Sequence, residues 1–143
     1  MPGRVQAVCR GVLVAGRSAA EEGIGTWNEF YIEHEGKLFF RSLVEFMASG
    51  PVLAMVIEGN QSVAIVTKIT GTTEPSTSDV GTIRGDLTVD SYSHSTVQNR
   101  AVRNLIHCSE SPEEAAREIA VWFTPAELIE YKTTLERILY DID

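Results

Sequence analysis

The sequence predicts one domain of mixed α/β structure, with helices between short strands and a helical C-terminus. Three observations support this: apolar runs of strand length, apolar residues repeated at helical spacing, and strong helix-start signals near residues 111 and 124. With 143 residues, the chain is most simply a single domain, long enough to bury a real core.

The first third of the chain alternates strand and helix signals. Val5–Ala15 is rich in valine, which predicts a strand. Within Trp27–Phe40, Gly36 indicates a helix end or a turn. Arg41–Gly50 repeats apolar residues at helical spacing, and Pro51 prevents that helix from continuing.

The middle of the chain continues the alternation. Val52–Gly59 is a continuous apolar run bounded by proline and glycine, which is typical of a fully buried strand. Asn60–Gly71 is predicted as a helix that its first residue caps, and a turn-rich stretch follows. Asp86–Tyr92 and Val102–Cys108 are strand candidates on either side of the polar segment Ser91–Arg100.

The strongest helix start is "SPEE" at residues 111–114, a capping box with proline at the first helical position. The apolar side chains that follow fall on one helix face: Ala115, Ile119, Trp122 and Phe123. A second Thr-Pro start at Thr124 predicts another helix.

The charge of the chain argues against some classes of partner. Twelve basic and 20 acidic residues give a net charge of −8, which disfavours a nucleic-acid or anionic-membrane surface. From Gly59 to Cys108 the charges balance, so an anionic ligand is repelled least there.

Two cysteines form no disulfide framework, which favours a reducing cytoplasm. The N-terminal stretch contains no membrane span and no convincing signal peptide.

One histidine has a setting that suits phosphate chemistry. His107 directly precedes the capped helix, and helix N-termini favour anions such as phosphate. Glu118 falls on the buried side of this helix, where a histidine ring would be a good partner for its carboxylate. A neutral imidazole oriented by a carboxylate is a competent nucleophile toward phosphorus. From spacing alone, His107 as an ordinary core residue and Glu118 as a solvated charge remain alternatives.

Other motifs are weaker. Arg84, in the turn "GTIRGD", either binds a phosphate or pairs with Asp86 or Asp90. The three histidines lack the short spacing of metal ligands. Phosphate-loop and dinucleotide fingerprints are absent, and no nucleophile elbow supports a hydrolase built on Ser109 and His107.

Six motifs occur in one order between Phe30 and Tyr131: "FYIEHEGKLFF", "SGPVLAMVIEG", "TGTTEP", "GTIRGD", "RNLIHCSES" and "EEAAREIAVWF". Together they resemble the nucleoside diphosphate kinase family, and "GTIRGD" followed by "NLIHCSES" is highly specific. The resemblance implies an α/β, or α+β, ferredoxin-like fold: an antiparallel sheet with covering helices. It also implies a single domain over residues 1–143, divergent at 1–29, and a homo-oligomer.

The resemblance further implies a cytoplasmic phosphotransferase that works by a ping-pong cycle. ATP gives its γ-phosphate to His107, and the phosphohistidine passes it to a nucleoside diphosphate. Magnesium would arrive bound to the nucleotide, so no metal ligands are expected from the protein, and neither a membrane nor a specific nucleic acid is expected as a partner. The alternative is a degenerate member that binds nucleotide or partner proteins with little or no transfer.

The family motifs also assign individual roles. The implied catalytic residues are His107, Glu118, Tyr31 and Ser109, with the glutamate orienting the histidine. The implied nucleotide-binding residues are Phe39 for the base, Thr73 and Arg84 for phosphates, and Asn104 for the sugar.

Three departures from the family pattern affect these expectations. The Lys-Pro-Asp-Gly motif is absent, so the catalytic lysine has no counterpart. Thr67 stands where a nucleotide-contacting arginine is expected, beside Lys68. The stretch before the histidine is longer than in the family. Arg100 or Arg103, in or beside the added segment, is a candidate to replace the lost charge, with a solvated loop as the alternative. Slow but real activity is the expectation.

Overall fold

The computed structural model describes residues 5–11, 19–50, 52–129 and 131. In these residues the sheet is one antiparallel pair, β1 (Val5–Gly11) with β2 (Leu53–Gly59), in which Val8 lies opposite Val56. The predicted first strand is confirmed over 5–11, while residues 12–15 of that prediction lie outside the described part.

Six α-helices make up most of the regular secondary structure in the described residues. Their bounds are α1 (Ala19–Phe30), α2 (Phe40–Met47), α3 (Ser62–Thr70), α4 (Ile83–Leu87), α5 (Tyr92–Val97) and α6 (Pro112–Trp122). Helices α3 and α6 pack on β1, and α1 packs on both α2 and α6. None of the described helices is long and apolar enough to cross a membrane.

Strand β2 and helix α3 form where the sequence predicts them, with two corrections. The strand is only partly buried, and Met55 and Glu58 face solvent, because β1 is its single partner among the described residues. The helix is not capped by Asn60. Its N-cap is Gln61, which has a left-handed φ of 54° and makes no side-chain cap bond.

The two strands predicted at Asp86–Tyr92 and Val102–Cys108 are wrong. The Oγ1 of Thr82 accepts from Gly85 N at 3.1 Å, which starts α4. Ser91 Oγ accepts from His94 N in the same way and starts α5. Because these hydroxyls accept hydrogen bonds from backbone N–H groups and so cap helices, helix interrupts the first predicted strand. Residues 101–107 are irregular, with a single bridge residue at 108.

The predicted helix start at residues 111–114 is confirmed. The Oγ of Ser111 accepts from Glu114 N at 3.1 Å, and Pro112 is the first helical residue. The start predicted at Thr124 produces only a short 3₁₀ turn, Pro125–Glu127, in which the side chain of Glu127 accepts from the backbone of Thr124 at 2.9 Å. The remaining C-terminal residues of that prediction, 132–143, lie outside the described part.

Two apolar clusters form the described core. The first is built on α3 and α6 and contains Val63, Val66, Ile106, Cys108 and Ala115. The second is built on α1 and α2 and contains Trp27, Phe30, Tyr31, Val44 and Met47. Residues 106 and 108 belong to the first cluster, so the backbone at residue 107 between them is anchored at the edge of that cluster.

Candidate active site

His107 and Ser109 share the carboxylate of Glu118. The His107 Nε2 lies 2.8 Å from Glu118 Oε1, and Ser109 Oγ donates to Glu118 Oε2 at 2.5 Å. The Glu118 side chain is 1% exposed, and both of its carboxylate oxygens have partners, as a buried carboxylate requires. The alternative of a solvated Glu118 is therefore wrong. The histidine side chain keeps 18% exposure, so a substrate has access to it.

The backbone before the histidine makes an unusual tight turn. Ile106 N donates to Asn104 O at 2.8 Å, and Leu105 between them has a φ of 68°. A side chain of this size rarely adopts a left-handed φ, and such residues concentrate at functional sites. The turn directs His107 out of the first apolar cluster toward the aromatic residues of the second.

Aromatic rings connect His107 to Phe39. Phe30 and Tyr31 meet the histidine ring edge-on, with centroids 4.9 and 5.7 Å away. Tyr31 stacks on His34 at 6.0 Å, and His34 contacts Phe39 at 5.6 Å. Phe39 is 40% exposed, so part of its ring is open to a ligand. The structure therefore brings the predicted residues Tyr31 and Phe39 into one row of rings that ends at His107.

Arg84 is buried and binds the backbone. Its Nη1 donates to Gly71 O at 2.9 Å, and its Nη2 donates to Ile106 O at 2.7 Å. Burial lowers the pKa of this guanidinium from its ordinary value. The predicted alternative, a pair with Asp86 or Asp90, is wrong because other groups hold both carboxylates. Within the described part of the chain, Arg84 Nε has no hydrogen-bond partner.

Two predicted nucleotide-binding residues lie together. The Asn104 Nδ2 donates to Thr73 O at 3.4 Å. The bonds of Arg84 to Gly71 and Ile106 join the same two stretches of chain. The structure thus brings Thr73 and Arg84 into contact with the segment that leads into His107, on which Asn104 lies.

The long segment before the histidine is tied down by Asp90. Both terminal nitrogens of Arg100 donate to this carboxylate, at 2.6 and 3.0 Å, and Arg103 N donates to it at 2.7 Å. The guanidinium of Arg103 lies 5.2 Å from the ring centroid of Phe46. Arg100 is bound to Asp90 through both terminal nitrogens, which argues against the expectation that it replaces the missing lysine. The solvated-loop alternative is also incomplete, because part of this segment is helix α5.

Sequence reasoning missed a second carboxylate beside the histidine. Ligand atoms of His107, Glu114 and Glu118 all lie within 4.8 Å of one another. The pKa of Glu114 is raised, first by burial and also by the nearby charges of Glu118 and Glu33. The i, i+4 spacing of Glu114 and Glu118 on a predicted helix was the available signal.

His34 was also missed as a neighbour of the site. Its ring stacks on Tyr31, and Lys37 Nζ lies 2.9 Å from its Nδ1. Burial, followed by the charge of Lys37, lowers the pKa of His34 below its ordinary value of 6.5. The spacing of Tyr31 and His34 at i, i+3 was the available signal.

An α/β fold that presents a histidine oriented by a buried carboxylate, next to an open aromatic ring, points to the phosphotransferase class of proteins. The family model for nucleoside diphosphate kinase matches residues 18–128. The chain is 48% identical to a nucleoside diphosphate kinase of Cyanothece over 79% of this chain and 69% of that protein. It is 39% identical to one of Staphylococcus epidermidis over 92% of this chain and 82% of that protein. The chain belongs to the nucleoside diphosphate kinase family.

Coverage differs among the relatives. The aligned part reaches 47% identity with a nucleoside diphosphate kinase of Pyrobaculum aerophilum over 66% of this chain, and it spans 52% of that protein, about half of its length. The family assignment of this chain does not depend on the part of that protein that it leaves uncovered.

Solved structures agree with the fold. A nucleoside diphosphate kinase of Borrelia burgdorferi, with bound vanadate and ADP, aligns with a TM-score of 0.82 and 26% identity over 94% of this chain and 96% of that one. A nucleoside diphosphate kinase of Halobacterium salinarum in complex with CDP aligns with a TM-score of 0.75 and 26% identity, over 96% and 99% of the two chains. The predicted ferredoxin-like α/β fold is confirmed, and by family the chain is a phosphotransferase.

Proposed function

We propose that this chain moves the γ-phosphoryl group of ATP to nucleoside diphosphates through a phosphohistidine on His107 Nδ1. The observation that carries the proposal is the bond between His107 Nε2 and the buried Glu118. A carboxylate accepts hydrogen bonds, so Nε2 carries the ring proton and Nδ1 keeps its lone pair. The nitrogen that faces away from Glu118 is thus the nucleophile.

The chemistry then balances in two halves. Nδ1 forms a bond to the γ-phosphorus, the bond from that phosphorus to the bridging oxygen breaks, and ADP leaves with the electron pair. The phosphorylated ring is cationic, and the negative charge of Glu118 stabilises it at 2.8 Å. An acceptor diphosphate reverses these steps and restores the neutral ring.

The nucleotide would lie along the row of rings and beside Thr73, Arg84 and Asn104. The partly open ring of Phe39 supports a stacking contact with the base, which tolerates any base because each has a π-face. Thr73 and Asn104 are in contact with each other, which supports a shared role toward phosphate and sugar. Arg84 already uses two nitrogens on the backbone, so a phosphate would meet its remaining donors.

Magnesium enters this proposal as an ion that the nucleotide phosphates carry. The cluster of His107, Glu114 and Glu118 offers one nitrogen ligand, and two of its members already bind each other. Magnesium prefers octahedral oxygen ligands and retains waters, so this cluster does not suit it. When bound with nucleotide, the ion would neutralise phosphate charge, and no protein ligand for it is proposed.

We also propose that the protein is a cytoplasmic homo-oligomer. The segment 80–89 leaves three apolar side chains open: Val80 at 94%, Leu87 at 68% and Val89 at 96% exposure. Clustered exposed apolar residues often mark protein contacts. Sedimentation of the wild-type chain tests this, and a monomer at micromolar concentration would contradict it.

Labelling with γ-labelled ATP tests the transfer proposal. The wild-type protein should take up an acid-labile label and release it to added GDP. His107→Ala should abolish the label, whereas His94→Ala, an exposed residue on α5, should retain it. The missing lysine removes one charge-assisted contact, so the rate should be about ten- to a hundred-fold below that of a protein with the lysine. Nucleotide binding without any label would favour the degenerate binding protein.

A further inference from the structure

Arg117 joins the helix of the catalytic carboxylate to the end of α1. Its Nη1 donates to the carbonyl oxygen of Phe30 at 3.0 Å, and its Nη2 donates to Glu33 Oε2 at 3.2 Å. Phe30 is the last residue of α1, where backbone carbonyls lack partners within the helix and a cation is favourable. Arg117 thus holds the chain on both sides of Tyr31.

The same guanidinium reaches the catalytic carboxylate. Arg117 Nη2 lies 3.9 Å from Glu118 Oε1, the oxygen that also binds His107 Nε2. The carboxylate is 1% exposed, so this nearby positive charge acts in a poorly solvated place. The Arg117 side chain therefore contacts both the backbone of Phe30, whose ring packs on His107, and the carboxylate that binds His107.

We propose that Arg117 is a positioning residue for phosphoryl transfer. It fixes the rings of Phe30 and Tyr31 against His107, and it holds Glu118 Oε1 in line with the Nε2 of His107. This inference rests on the proposed function of His107. The arginine itself acts through other residues and touches neither reacting atom.

The shape of the guanidinium matters for this role. Arginine presents a planar fork, whose two arms here reach Phe30 O and Glu33 at the same time. Lysine offers a single point charge and can satisfy only one of these acceptors well. The expected order of activity is therefore wild type, then Arg117→Lys, then Arg117→Ala.

Single-turnover phosphorylation of the full chain by γ-labelled ATP tests the inference. Arg117→Ala should lower the maximal rate of His107 labelling by about ten- to a hundred-fold, because small misplacement of reacting groups costs about that much. The concentration of ATP at half-maximal rate should change less than twofold, since the arginine touches no predicted nucleotide contact. Guanidinium chloride at millimolar concentration should restore part of the rate, whereas sodium chloride at the same ionic strength should not.

Two further variants keep the test decisive if Arg117→Ala folds poorly. Glu33→Gln removes the charge at one arm and should lower the maximal rate less than Arg117→Ala does. Arg41→Ala is the matched control, because Arg41 lies exposed on α2 and pairs only with Glu45 among the described residues. It should leave the rate unchanged.

The outcomes separate this inference from the proposed function. Labelled wild type together with wild-type rates in Arg117→Ala, Arg117→Lys and Glu33→Gln overturns the positioning role alone. A rise only in the half-saturating ATP concentration also overturns it, because Arg117 would then be a nucleotide contact. An unlabelled wild-type protein overturns the proposed function and this inference together.

Discussion

Ser109 and His107 bind opposite oxygens of one buried carboxylate, at 2.5 and 2.8 Å from Glu118. A carboxylate held at both oxygens cannot rotate, so the histidine ring has one orientation. Ring orientation decides which nitrogen meets the phosphate, and Glu118 therefore links the packing of α6 to the chemistry.

Glu118→Gln should reduce transfer strongly while leaving the shape of the site intact. One of the two positions that now accept hydrogen bonds becomes an amide donor, so either His107 or Ser109 loses its acceptor. We expect a fall of about 10²-fold or more in the labelling rate, within the usual range of about 10²–10⁴ for positioned acid–base partners. Glu113→Gln, an exposed change on the same helix, is the control. Equal rates in both variants would mean that Glu118 plays no part in transfer.

Ser109→Ala should act on both stability and rate. It leaves one buried oxygen of Glu118 without its hydroxyl donor, which should cost about 1–3 kcal/mol of unfolding free energy. The freed carboxylate should lower the labelling rate by about tenfold, a smaller loss than in Glu118→Gln. Urea unfolding and single-turnover labelling measure the two effects. Ser76→Ala, at an exposed position, should change neither, and a Ser109→Ala variant as stable and active as wild type would refute the prediction.

Asp90→Asn should destabilise the protein in a pH-dependent way. The bonds from Arg100, and then the backbone bonds, hold the pKa of Asp90 far below its ordinary value. The unfolded chain then binds the proton more readily, so this stabilisation is fully present above about pH 4 and declines as the pH falls toward the folded pKa. At pH 7 the unfolding free energy of the variant, measured with urea, should be about 2 kcal/mol below that of wild type. This difference between variant and wild type should narrow in strong acid. A gap independent of pH would contradict the ionic origin. Asp79→Asn, at an exposed position, is the control.

Arg100→Ala should change stability and leave the chemistry intact. Both terminal nitrogens of Arg100 are occupied by Asp90, so the side chain is not available to a phosphate. We expect a lower melting temperature and a labelling rate within about twofold of wild type when the variant is fully folded. Arg103→Ala, whose side chain is exposed over Phe46, provides the comparison. A large loss of labelling in folded Arg100→Ala would restore its role as the substitute for the missing lysine.

Gly85→Ala should disrupt the turn that leads into α4. A Cβ at this position would clash with the carbonyl oxygen of Asp79 and lie 2.9 Å from Thr82 Oγ1. Backbone must move to relieve this contact, so we expect a loss of about 1–3 kcal/mol. Gly25→Ala is the matched change, because Gly25 lies within α1 with open space around it, and it should stabilise the protein by about 0.5–1 kcal/mol. Thermal unfolding of the two variants should therefore shift in opposite directions.

The segment from residue 86 to residue 108 shows where sequence reasoning failed. Two strands were predicted there, yet the first is helix at both ends with an irregular middle, and the second is an irregular stretch. Within this segment Asp90 binds Arg100 and Arg103 N, ten and 13 residues away. Strand propensity depends on the neighbours that a segment meets, and these neighbours could not be read from local composition.

The sequence by itself determined the helix that starts at residue 112 and strand β2, because short-range capping and spacing rules specify such features locally. The family and the candidate histidine came from the resemblance of its motifs, in order along the chain, to those of a known family. Tertiary structure alone decided that Ser109 and His107 share Glu118, that Arg100 pairs with Asp90, and that Arg117 donates a hydrogen bond to the carbonyl oxygen of Phe30. The last contact joins residues 87 positions apart. Contacts at such separations depend on how helices pack on a common core, and side-chain packing sets that arrangement only once the whole chain has folded.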